Sequence, residues 1–77
     1  MTSEENDLIN QIRSKGADLK SKERAVVRLG ESLEETFILD LLPSKRLIKE
    51  LVDVSENNSI PVALRRKVKV LLKYYSV

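Results

Sequence analysis

The sequence predicts an all-α fold, a small single-domain bundle of about four helices spanning residues 1–77. Three observations carry that expectation. Apolar residues recur at three- and four-residue steps along several segments, the helical period. The only two prolines, Pro43 and Pro61, fall at gaps between those segments. Strand signals are weak: apolar residues rarely alternate, and neither an Asn-Gly nor an Asp-Gly pair occurs. The fragment 68–72, VKVLL, is the one strand-like stretch, and its flanks keep the helical period.

The first helix is expected to begin near Ser3. Thr2 and Glu5 have capping-box spacing, and Glu4, Glu5 and Asp7 suit the positive end of a helix dipole. Leu8, Ile9 and Ile12 form its apolar stripe. Gly16 is expected to stop it in a left-handed C′ position, although Leu19 would continue the stripe if the helix ran on. The second helix is expected over about 21–42, with Val26, Leu29, Leu33, Phe37 and Leu41 facing the core. Gly30 interrupts it, and Ser32 with Glu35 offers a second capping box where the chain would break in two. The stripe keeps one register across Gly30, which argues for one continuous helix with Gly30 admitting a close helix contact. Proline disfavours helical angles in the residue before it, so Pro43 ends this segment.

Ser44 is expected to cap a third helix, marked by Leu47, Ile48, Leu51 and Val52 and running to about Val54. Residues 55–59, SENNS, read as a polar turn. Pro61 fits the first helical position of the last helix, where a missing N–H costs nothing. That helix buries a face of Leu64, Val68, Leu71, Leu72 and Tyr75.

Composition narrows the chemistry. Seventy-seven residues bury only about 60% of the surface that the unfolded chain exposes, so stability rests on well-packed helices or on self-association. With no Cys there is no disulfide and no thiolate ligand, and with no His only carboxylates remain for a metal. The usual Ser–His and Cys–His dyads cannot form. Neighbouring Ser21-Lys22 and Ser44-Lys45 point about 100° apart on a helix, and two separated glycines make no phosphate loop. The expectation is a non-enzymatic protein without cofactor or metal. The N-terminal stretch MTSEENDLINQ lacks the basic and apolar regions of a signal peptide, and no run of about 18 apolar residues occurs, so a cytoplasmic protein outside the membrane is expected.

Charge is distributed unevenly. Residues 1–42 hold nine acids and six bases, a net −3; residues 43–77 hold three acids and eight bases, a net +5. The two halves would attract one another within a fold or across a dimer, or the second half presents a basic face to an anionic partner. Residues 60–75, IPVALRRKVKVLLKYY, concentrate the effect, with five cations and no anion. Arg65, Arg66, Lys69 and Lys73 fall within about a quarter of a helix circumference, whereas Lys67 points elsewhere. With Tyr74 they form the candidate partner-binding set. A solvated face, a dock for an acidic protein and a track for phosphates all fit this stripe. The helix has no Asn or Gln to read bases, so a nucleic-acid contact would be poor in sequence specificity. Glu31, Glu34, Glu35 and Asp40 form an acidic counterpart with no base between 31 and 42.

Residues 46–75 also resemble a family of small uncharacterised bacterial helical proteins. The matching residues are Arg46, Leu51, Pro61, Leu64, Arg65, Arg66, Leu71, Leu72, Lys73 and Tyr75. The family ends basic–His–aromatic–Pro where this chain has Lys73-Tyr74-Tyr75-Ser76. The resemblance implies a bacterial, soluble, helical protein and adds nothing on function. Together these readings lead to the expectation of a self-associating interaction or regulatory protein, a homodimer or a partner of an acidic protein, with sequence-nonspecific nucleic-acid binding as the alternative.

Overall fold

The computed structural model describes residues 2–75; Ser76, where the chain departs from the family pattern, lies outside them. Four helices form: α1 (Ser3–Arg13), α2 (Leu19–Ile38), α3 (Lys45–Glu56) and α4 (Val62–Tyr75). No strand occurs among the described residues. No helix among them is long and apolar enough to cross a membrane.

The Thr2–Glu5 capping box forms as its spacing predicts. The Thr2 hydroxyl accepts the Glu5 N–H at 3.1 Å, and Glu5 Oε1 accepts the Thr2 N–H at 2.9 Å. The second Glu5 oxygen accepts the Ser32 hydroxyl at 3.2 Å, so one buried carboxylate both caps α1 and ties it to α2. Ser32 is thereby used from inside α2, and the second capping box with Glu35 does not form. The expected left-handed stop at Gly16 does not form either. α1 ends at Arg13, with Ser14 extended and its N–H bonded to the Gln11 carbonyl, and no glycine takes a positive φ. Asp18 caps α2, accepting the Ser21 N–H at 2.8 Å, so the helix starts at Leu19 rather than Ser21.

α2 ends four residues before the expected Leu42. Asp40 takes a left-handed φ of 57°. The Asp40 N–H bonds to the Phe37 carbonyl and the Leu41 N–H to the Thr36 carbonyl, both at 3.0 Å, which makes a Schellman stop. Asp is among the few non-glycine residues that enter this region readily. Ser44 then caps α3 by accepting the Leu47 N–H at 3.4 Å. α3 runs two residues past Val54, to Glu56, and takes the first part of the expected turn. Pro61 sits one residue before α4, its carbonyl accepting the Leu64 and Arg65 N–H groups, rather than inside the first turn.

One buried cluster holds the four helices together. It comprises Ile9 and Ile12 of α1; Ala25, Val26, Leu29 and Leu33 of α2; Leu47, Leu51 and Val54 of α3; Leu64 and Val68 of α4; and Ile60 of the last loop. Leu8, Ile48, Leu71, Leu72 and Tyr75 pack against it, half-buried. α1 packs along α2 and α3 along α4, and the two hairpins join mainly through α2 and α4. Among the described residues α2 and α3 make no close backbone contact despite being consecutive, so the 39–44 connection crosses the bundle diagonally.

That crossing makes α2 and α4 parallel neighbours. Glu23 meets Lys67, Gly30 meets Leu71 and Phe37 meets Tyr75, a series that ascends in both helices. Gly30 sits at the middle of it, as the close contact predicted. A Cβ there would lie 2.9 Å from Leu71 Cδ2. Replacing Gly30 by Ala gains about 1 kcal/mol of helix propensity and displaces one Leu71 methyl, so the expected net change is within about 1 kcal/mol. Gly30→Val should destabilise by about 2 kcal/mol or more, and Leu71→Ala should recover part of that loss in a double-mutant cycle read by chemical denaturation.

Acid stability reports on the α2 cap. The Ser21 hydroxyl, then its N–H, hold the Asp18 carboxyl below its ordinary 3.8. A carboxylate whose pKa is lowered by folding adds stability above its unfolded pKa, and that stability is lost as pH falls through the folded value. Asn caps as well as Asp without titrating. Asp18→Asn should therefore lose less stability than the native protein between about pH 5 and pH 2, measured by thermal melts.

Candidate interaction surfaces

α4 was expected to present four cations on one stripe. Its buried side is set by Leu64 and Val68, with Leu71, Leu72 and Tyr75 flanking, and this fixes where every cation points. Arg65 leaves the stripe. Its Nε donates to the Ile60 carbonyl at 2.9 Å and its Nη1 to Asn58 Oδ1 at 3.4 Å. The guanidinium thus fastens the α3–α4 loop, whose own turn is held by the Ile60 N–H to the Asn57 carbonyl and the Ser59 N–H to Asn57 Oδ1. Arg65 lies nearest the loop, and a carbonyl facing the fork of its donors is a better partner than water at a half-buried position.

Lys67 points away from the stripe, as its register requires, and pairs with Glu23 at 3.9 Å. Arg66, Lys69 and Lys73 remain, all exposed on the outward side of α4. Exposed Val62 and Val70 share that side, four residues either way from Arg66. The acidic counterpart on α2 does not reach these cations within the molecule. Glu31 bonds Arg28 at 3.0 Å, and Arg28 also holds Glu4 at 2.7 Å. Those two carboxylates raise the Arg28 guanidinium above its ordinary pKa. The halves of opposite net charge do touch, through Arg13–Glu50 at 2.6 Å and Lys67–Glu23.

Tyr74 belongs to a different surface. Phe37 and Leu41, expected in the core, are exposed, and so are their neighbours. Exposure is 70% for Phe37, 71% for Ile38, 85% for Leu42 and 75% for Tyr74, with Leu39 and Leu41 near 60%. The cause is length. α2 has 20 residues against 11 in α1, about 30 Å against about 17 Å, and α1 begins opposite Arg28 and Ser32. Among the described residues the end of α4 accompanies the last turn of α2, through the edge-to-face pair of Phe37 and Tyr75 with centroids 6.3 Å apart.

The Schellman stop turns Leu41 and Leu42 outward beside it. A groove of about 190 Å³ opens there, lined by Leu33, Phe37, Leu41, Leu42, Tyr74 and Tyr75 among others. Ile38, Leu39 and Leu42 formed no part of the expected site. A signal for them was present: five apolar residues among 37–42 point all round a helix and cannot share one buried face.

Among the described residues no group of three or more acidic side chains is gathered as a metal ion would require. No known family model, characterised protein or solved structure matches this chain.

Arg65 should matter for folding and its neighbours should not. Arg65→Ala is expected to cost about 1 kcal/mol in urea denaturation, whereas Arg66→Ala and Lys69→Ala stay within about 0.5 kcal/mol.

Proposed function

We propose that this chain is a non-enzymatic cytoplasmic interaction protein that works as a homodimer joined through its apolar end. The observation that carries this reading is the concentration of Phe37, Ile38, Leu39, Leu41, Leu42 and Tyr74 on one end of the bundle, all largely exposed. Monomers rarely leave a large apolar patch uncovered, and each of these six residues is more than half exposed. Stable interfaces are built on an apolar centre ringed by polar groups, and a twofold pairing of this end would bury such a centre.

Charge supports the same pairing. The parallel run of α2 and α4 brings two helix carboxyl ends, each carrying partial negative charge, to the end where α3 begins. α2 adds Glu34 and Glu35 and the turn after it Asp40, while α3 and α4 add Lys45, Arg46 and Lys73. An isologous interface sets each surface against its own copy rotated by a half turn. With the twofold axis running between the two sides, the acidic side of one protomer would face the basic side of its partner across the apolar residues.

Ile38 and Leu42 are exposed enough to change without opening the core. The Ile38→Glu, Leu42→Glu variant should keep native helical content and sediment as a monomer, while the native protein sediments as a dimer at micromolar concentration. A native protein that stays monomeric at hundreds of micromolar, or a variant that dimerises as tightly as the native chain, would sink this reading.

A further inference from the structure

A second surface runs along the outward side of α4 and meets the apolar end at Lys73. We infer that this side, formed by Val62, Arg66, Lys69, Val70 and Lys73, docks an acidic amphipathic helix of another protein. Three properties of the face define its occupant. The first is that its cations are the unspent ones. Arg65 is committed to the Ile60 carbonyl and Lys67 to Glu23, whereas Arg66, Lys69 and Lys73 point to solvent. Glu31 of α2 is held by Arg28. α4 itself carries no anion, so the face is complementary to a row of carboxylates spaced along a helix.

The second property is apolar. Val62 is 49% exposed and Val70 53%, and both stand in the same stripe as the cations. A phosphate backbone gains nothing from covering two valines; a helix with apolar residues beside its acids buries them. The third is geometry. Val62, Arg66, Lys69, Val70 and Lys73 follow the spacing i, i+4, i+7, i+8, i+11, a straight seam about 16 Å long that matches three turns of a partner helix. The valines are what favour a protein over nucleic acid on this face.

The test uses the full chain and two labelled probes read by fluorescence anisotropy at low ionic strength. One probe is a helical peptide with Glu and Leu at heptad spacing. The other is a single-stranded oligonucleotide. The peptide should bind saturably and weaken as salt rises. Arg66→Glu, Lys69→Glu, Lys73→Glu together should reduce its affinity about tenfold or more, and Val62→Ser, Val70→Ser about fivefold, with circular dichroism unchanged. A Gln-for-Glu version of the peptide should bind no better than the charge-reversed protein binds the original. Absence of saturable peptide binding overturns the inference. So does peptide binding indifferent to the valine substitutions, or an oligonucleotide that binds tighter than the peptide and loses affinity only with the cations. The last result would make the stripe a phosphate track.

Discussion

The contact between Gly30 and Leu71 marks the parallel packing of α2 against α4, the constraint on which the arrangement of the exposed end depends. It lets α2 and α4 approach closely at the one place where α2 has no side chain to hold them apart. Their parallel course follows from the chain path: a diagonal crossing at 39–44 and the α3–α4 hairpin return the chain alongside α2 in its original direction. Parallel packing sends the carboxyl ends of both helices to the same end of the bundle. Phe37 can then reach Tyr75, and Tyr74 stands beside the apolar turn that follows α2. An arrangement of strictly antiparallel neighbours would have separated these groups.

Opposite charges are segregated along the chain, and the fold uses part of that segregation internally. Arg13–Glu50 links the two hairpins at one side and Lys67–Glu23 at the other. Partly solvated pairs of this kind contribute little stability each, about 0–1 kcal/mol, so the core cluster rather than the ion pairs holds the fold. The ion pairs decide instead which charges are left over. Arg66, Lys69 and Lys73 are left on α4, and Glu34 and Glu35 on α2. The proposed homodimer and the proposed dock draw on different members of this remainder, and Lys73 is the one cation they share.

Much of this was legible in the sequence. The capping box at Thr2, the cap at Ser44, the continuity of α2 through Gly30 and the buried face of α4 all followed from local spacing. These features depend on residues three or four apart, which a sequence states directly. Its errors concern where each helix ends and what a distant part of the chain brings against it. A heptad-like stripe shows which side of a helix is apolar, not how far a neighbouring helix extends to cover it. Phe37 and Leu41 keep the register of Leu29 and Leu33, yet α1 is too short to reach them. Arg65 keeps the register of Lys69 and Lys73, yet the loop carbonyl it meets is set by the α3–α4 turn. The stop at Asp40 carries no glycine to mark it, because Asp itself enters the left-handed region and two backbone hydrogen bonds hold the turn.

The account's central claim is that the fold leaves one end of the bundle, and not its sides, to meet a second copy of the chain. A dilution series of amide nuclear magnetic resonance spectra tests it residue by residue. With rising concentration, shifts and broadening should be confined to residues 37–42 and 73–75 and the first turn of α3, with Arg66, Lys69 and the whole of α1 unmoved. Spectra indifferent to concentration, or changes centred on the outward side of α4 while residues 37–42 stay fixed, would contradict it.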